Sequence, residues 1–232
     1  MAKAVFELDK PFKIELDDTI DNTTKIPVIL LADVSASMEG KPIQELGDAI
    51  QTFLEVIADD DYARPSVELS IATFSHLVKV IHDFSFVDDI YFQNDLEVEA
   101  ETNMALAVEH GIDALQAKIQ EYKQQGVLYK APLLILITDG YPSDDITSVA
   151  KRCSNLVDRK KLTFLGVGVG DDVKMQDLKR FNPNGNVVKS PTFEDLKEVL
   201  VWVSYQLSAA SQTSPDEEVQ SHAELDPKFK LY

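Results

Sequence analysis

Three continuous apolar runs punctuate the chain, at residues 26–32, 132–138 and 162–169, and each is bounded by polar residues. Runs of this length read as strands buried on both faces. Between them the period changes to that of a helix. Ile43, Leu46, Ile50, Phe53, Leu54 and Ile57 share one face, as do Val108, Ile112, Leu115, Ile119 and Tyr122 in a segment beginning at Thr102. Ile146, Val149, Cys153 and Leu156 form a third helical face, and Leu196, Val199, Leu200, Val203 and Leu207 a fourth, with a short helix expected over 173–180. Residues 67–74 alternate as a strand, with 77–82 as a hairpin partner, and Val187-Val188 forms a further short strand. Pro42 suits a first helical turn, and Thr192 three residues before Asp195 resembles a capping box. Strands alternating with helices predict a Rossmann-like α/β fold: a mostly parallel central sheet with helices on both faces.

The same patterning divides the chain. Residues 1–25 form an extension with short strands at 4–8 and 12–16, split by Asp9-Lys10-Pro11; residues 26–210 form the domain. Residues 211–232 read as an acidic tail, partly disordered when alone. Its end, Leu225-Asp-Pro-Lys-Phe-Lys-Leu231, loosely echoes Leu8-Asp-Lys-Pro-Phe-Lys-Ile14. Chance accounts for the echo more simply than a repeat; if it is a repeat, the two segments lie on similar edges. Residues 84–101 are irregular and strongly acidic, and a solvated loop fits them better than a calcium loop.

Composition changes the picture in one respect. Hydrophobic residues at 44% and charged residues at 27% of 232 are ordinary, but the formal net charge is −18. That balance disfavours nucleic acid or an anionic membrane as a partner and suits a cation or a basic protein, although by itself it is equally consistent with simple solubility. Cys153 is the lone cysteine, so no intrachain disulfide forms, as in a reducing compartment. The first ten residues carry acids where a signal peptide has an apolar run, and no stretch approaches membrane-spanning length. A cytoplasmic location, without nucleic acid or membrane contact, is the expectation.

Candidate chemistry gathers where the first apolar run ends. Asp33, Ser35 and Ser37 stand at alternate positions between a buried strand and a helix start. Ligands in open α/β sheets bind at such strand ends. One carboxylate and two hydroxyls make a hard-oxygen set that selects magnesium or manganese over zinc. Thr102, at a helix start, and Asp139, after a second buried strand, supply two more oxygens. Helix capping would account for Ser37 or Asp33 singly, but not for the placement of Thr102 and Asp139. Gly166-Val-Gly-Val-Gly170 lacks dinucleotide-loop spacing and fits tight helix–sheet packing better. Asp33 lacks the second acid of an aspartyl phosphatase, since Ser35 stands there; His76 and His82 have no metal-spaced partner.

Asp-x-Ser-x-Ser after a buried strand, a later Thr-Asn-Met-Ala and Ile-Thr-Asp-Gly after a second strand resemble the von Willebrand factor A (VWA) domain family over residues 26–207. The resemblance implies a metal-ion-dependent adhesion site (MIDAS). Ser35, Ser37 and Thr102 would ligate through hydroxyls, and Asp33 and Asp139 directly or through waters. A position would stay open for an acidic residue of a partner protein. The chain departs from the family at Ala100-Glu101, where small residues are common; Glu101 adds negative charge beside the ion and weakens its pull on an anion. Within the family, the opening Pro-Val-Ile-Leu-Leu-Ala-Asp-Val-Ser-Ala-Ser-Met-Glu-Gly-Lys-Pro-Ile is similar to bacterial TerY-type proteins associated with tellurite resistance. That similarity implies an adaptor acting beside a protein phosphatase and a protein kinase in a stress response.

The expectation is a metal-dependent protein-interaction module that binds Mg2+ or Mn2+ and is not an enzyme. Two alternatives stay open at this point: a metal-dependent phosphoester hydrolase, for which no general base is placed, and a structural metal site with interactions carried by the tail.

Overall fold

The run at 26–32 becomes an inner strand, Ile26–Asp33 (β1), with every residue buried. A computed structural model describes residues 23–185, 187–213 and 225–232 of the chain. In chain order, β1 is followed by helix Lys41–Ala58 (α1), strands Val67–Phe74 (β2) and Val78–Phe86 (β3), and helix Met104–Gln125 (α2). Strand Leu133–Thr138 (β4), helix Thr147–Asp158 (α3), strand Thr163–Val169 (β5) and helix Met175–Phe181 (α4) come next. Strand Val187–Ser190 (β6), helix Phe193–Ser211 (α5) and a two-residue strand, Lys230–Leu231 (β7), complete the described elements.

The seven strands lie in the order β3-β2-β1-β4-β5-β6-β7. Only β3 and β7, at the two edges, run antiparallel to their neighbours, so the sheet is mostly parallel, as predicted. Alternation along the strands sorts side chains to two cores. Val28, Leu30 and Ala32 face α1 and α5, whereas Ile29 and Leu31 face α2, α3 and α4. A run apolar at every position is therefore required, because helices cover both faces.

The strand order reverses between β1 and β4, since β1 connects outward to β2 while the chain later returns on its other side. Register pairs Ala32 with Ile137, which leaves Asp33 and Thr138 side by side at the carboxyl end. That end is where an open α/β sheet leaves a crevice.

Several local expectations translate directly. Gly40, at φ 89°, precedes α1 with Pro42 in its first turn, and Gly126, at φ 72°, closes α2 in the left-handed region. Thr192 caps α5 by accepting the Asp195 N–H at 3.2 Å and donating to the Asp195 carboxylate at 2.6 Å. A Cβ on Gly168 would lie 2.6 Å from Met175 Sδ, so this glycine serves close helix–sheet approach.

Other expectations change. The hairpin partner of β2 extends to Phe86, and residues beyond it do not form a merely solvated loop. Phe92 is buried, and Ile90, Leu96 and Val98 pack against the α1 side of the core between the acids. The segment is acidic outward and apolar inward, a division that charge content alone hides. Residues 225–232 likewise return to the sheet. Phe229 is buried in the core, Lys228 Nζ reaches Asp195 and Glu198 at 2.7 Å each, and Lys230–Leu231 pair with β6. One buried aromatic and a paired lysine anchor a segment too short to show strand periodicity. The strands expected at 4–8 and 12–16, and the echo at 8–14, lie outside the described residues.

Phe229→Ala is expected to release the β7 segment at a cost of about 2–4 kcal/mol. Hydrogen exchange followed by mass spectrometry should show faster exchange in Val187–Ser190 and unchanged protection in β1 and β4. Unchanged exchange in β6 would contradict an anchoring role for Phe229.

Candidate metal centre

Asp33 sits at the last position of β1 and is 1% exposed. A carboxylate there has left water, so each oxygen needs a partner. Its Oδ1 accepts the Ser35 backbone N–H at 2.9 Å, and its Oδ2 accepts the Thr138 hydroxyl at 2.5 Å. These bonds stabilise the anion only in part. Burial still pushes the carboxyl up to about 6, against the lowering effect of Thr138 and Ser35, and nearby Asp139 adds to the rise.

From Asp33 the chain turns through Ser35 into a short 3-10 turn at Ala36–Met38. Ser35 is buried and its hydroxyl lies 3.2 Å from that of Ser37. Ser37 donates to Asp139 Oδ1 at 2.7 Å, across 102 residues of sequence. Asp139 follows β4 directly, and its carboxyl is also raised by burial, with Asp172 contributing repulsion. Neither serine hydroxyl caps the 3-10 turn or α1, so the capping explanation does not describe these side chains.

Thr102 arrives from a different direction. Its side chain lies against the β4 turn, 3.7 Å from where a Cβ on Gly140 would stand. Its main chain is clamped to the same turn: Thr102 N donates to Ser143 Oγ at 3.1 Å, and Ser143 N donates to Thr102 O at 2.9 Å. Asp144 then accepts the Ala105 and Leu106 N–H groups at 3.0 and 3.1 Å, so it caps α2 from another segment. On the far side, Glu99 N donates to Val34 O at 2.7 Å, and the Glu99 carboxylate accepts the Ser75 hydroxyl. Ser75 O in turn accepts Asn103 N at 2.8 Å. Glu99, Ser75 and Asp144 thus hold the loop that delivers Thr102.

All five residues singled out in the sequence, Asp33, Ser35, Ser37, Thr102 and Asp139, therefore meet at the carboxyl ends of β1 and β4. His76 and His82 do not join them. His76 Nδ1 lies 3.3 Å from Glu99 Oε2, and His82 Nε2 contacts the Tyr91 carbonyl at 2.8 Å. Thr138, Ser143, Asp144 and Glu99 carry supporting roles that the sequence reading did not assign. Thr138 had one detectable signal, a hydroxyl closing an otherwise apolar strand; Asp144 had none, because its target helix is 38 residues away in sequence.

The donor set fits a hard divalent ion. It offers two carboxylates whose burial disfavours their charge, and three hydroxyls able to ligate without adding more. Among the described residues no group of three His, Cys, Asp or Glu side chains stands together, so a soft-metal site of the thiolate–imidazole kind is absent there. Within the same residues, no helix is long and apolar enough to cross a membrane.

Comparison with known proteins gives a consistent answer. The human inter-alpha-trypsin inhibitor heavy chain H6 is 22% identical over 183 residues, which cover 75% of this chain but 14% of that protein. The pilus adhesin SpaC of Lactobacillus rhamnosus GG superposes with a TM-score of 0.65 at 14% identity, covering 82% of this chain and 31% of SpaC. Proximal thread matrix protein 1 of the mussel byssus, in a structure with a zinc-occupied MIDAS motif, gives a TM-score of 0.53 at 16% identity, covering 80% of this chain and 48% of its own. The chain thus spans less than half the length of each of these relatives. The von Willebrand factor type A domain matches residues 28–201, which include every residue of the cluster, and the chain belongs to that family.

Proposed function

We propose that this protein is a metal-dependent protein-interaction module whose ion is held by Asp33, Ser35, Ser37, Thr102 and Asp139. The observation that carries the reading is the buried, destabilised Asp33 carboxylate, ringed by oxygen donors from three separated segments. A divalent ion there would supply the positive charge the carboxylates lack, and its remaining coordination would take an acidic side chain of a partner. Asp33 and Asp139 supply negative charge to the ion, Ser35, Ser37 and Thr102 supply neutral oxygen, and Thr138 holds Asp33 in place. Magnesium or manganese suits this hard donor set; zinc occupies the corresponding motif in the mussel protein.

Family context supports binding over catalysis, since one relative of the same fold is a pilus adhesin. Glu99 and His76, titratable groups beside the Thr102 loop, are engaged there rather than as a general base: Glu99 accepts the Ser75 hydroxyl, and His76 Nδ1 lies 3.2 Å from the same hydroxyl. The buried Cys153 thiol is pushed up to about 12, an inert group that suits a reducing, cytoplasmic setting. The similarity of the opening stretch to TerY-type proteins favours a phosphatase and a kinase of a stress or tellurite-resistance pathway as partners.

Protons and the ion compete for Asp33. In the metal-free protein its folded value of about 6 stands above the ordinary 3.8. The fold therefore binds this proton more tightly than the unfolded chain, and loses about 3 kcal/mol as pH rises from below 4 through 6. A bound cation offsets that loss once the proton has left. Added Mg2+ should raise the melting temperature markedly at pH 7.5 and little at pH 5. Metal-free Asp33→Asn should be at least as stable as the wild type at pH 7.5 and unresponsive to Mg2+. Equal Mg2+ stabilisation of the two proteins would overturn the site.

The supporting residues can be separated from the ligands. Thr102→Val should weaken Mg2+ binding about tenfold or more in calorimetry, and Asp144→Ala, which frees the α2 start, about tenfold. Partner capture from native extract should fail with EDTA and with Asp33→Ala. Capture that survives both but vanishes on deleting residues 211–232 would assign recognition to the C-terminal segment instead.

A further inference from the structure

The surface around the cluster is divided. On one side stand exposed apolar side chains: Leu77 at 61%, Tyr141 at 58% and Leu106 at 43% exposure. They belong to three segments that the structure ties together beside Thr102. Asn103 Nδ2 donates to His76 O at 3.2 Å, joining the Leu77 turn to the α2 start. Leu106 N donates to Asp144, joining the α2 start to the Tyr141 turn. Tyr141 is also steadied by Lys174, whose Nζ lies 4.5 Å from the ring centroid. Apolar side chains held out on mutually bonded loops around one polar centre mark an interaction surface rather than scattered exposure.

The other side is acidic. Glu39 leaves the Asp33–Ser37 loop exposed, and Glu101 stands exposed immediately before Thr102, in a segment joined to that loop by the Ala36 N–H donating to the Ala100 carbonyl at 3.4 Å. A partner carboxylate approaching the ion alone meets this like charge. A partner that also brings a cation on that side meets complementary charge, which speeds encounter and rejects purely acidic competitors.

We propose that the partner segment taken by this site carries an acidic residue flanked on one side by a bulky apolar residue, seated among Leu77, Leu106 and Tyr141, and on the other by a lysine or arginine facing Glu39 and Glu101. This rests on the metal-centre reading and adds the chemistry of the ligand's neighbours. The carboxylate provides the ion contact, the apolar residue the desolvated area, and the cation the discrimination.

The test uses the full chain and a library of synthetic peptides with a fixed central glutamate and randomised flanks, selected in Mg2+ and counter-selected in EDTA. Selected peptides should carry Leu, Ile, Phe or Tyr on one flank and Lys or Arg on the other. Leu77→Ser/Leu106→Ser/Tyr141→Ser should weaken the best peptide about tenfold or more and erase the apolar preference, with calorimetric Mg2+ affinity unchanged. Glu39→Lys/Glu101→Lys should erase or reverse the basic preference; its folding is checked by its melting curve. Selected peptides indifferent in their flanks, unchanged selection by both variants, or no Mg2+-dependent peptide while Mg2+ still binds would each overturn the proposal. Absence of Mg2+ binding to the wild-type chain would overturn the metal centre itself, a separate and distinguishable failure.

Discussion

A carboxylate at the end of a fully buried strand is the constraint on which the rest of this structure turns. Asp33 has lost its water to β2 and β4 on either side and to helices on both faces. The fold meets that cost with short-range donors, the Ser35 N–H and the Thr138 hydroxyl, and both depend on geometry set elsewhere. Thr138 reaches Asp33 only because β1 and β4 are neighbours in a register that places their last residues abreast. The reversal of strand order at this point opens the crevice above them. One amide and one hydroxyl bond leave the anion destabilised, and that residual destabilisation is what makes a cation useful.

Around this centre the loops act as positioning devices. Thr102 comes from the segment before α2, and its place depends on reciprocal bonds to Ser143, on the bonds of Glu99 to Val34 and Ser75, and on the bond of Asn103 to Ser75. Asp144 replaces the side-chain cap that the Asn103 position does not provide to α2. Apolar side chains at Ile90, Phe92, Leu96 and Val98 press the preceding acidic segment onto the core, so the approach to Thr102 is packed rather than loose. The same loops expose carboxylates near the ion, which sets a tension: acids that favour a cation also oppose the partner carboxylate the cation would attract.

Binding modules of this kind need rigid placement more than chemistry. Here the ligand oxygens sit on strand ends and on loops pinned by backbone hydrogen bonds, while the sheet beneath them is apolar on both faces. The edge strands contribute little to the centre itself. Their role is to complete the sheet, β3 through a hairpin and β7 through the anchored Phe229.

Strand and helix order, the two-faced core and the candidate ligands were legible in the chain because each has a local signature: continuous apolar runs, a period of 3.6, and oxygen-bearing residues where those runs stop. What the order of residues could not convey was proximity. Ser37 meets Asp139 across 102 positions, Asp144 caps a helix that precedes it, and Thr138 supports Asp33 from a neighbouring strand. Nor could charge content reveal that an acidic loop turns its apolar side inward, or that eight residues near 230 rejoin the sheet through one phenylalanine. Local periodicity is written in neighbouring residues; partnership between distant ones exists only once strand register and loop packing bring them together.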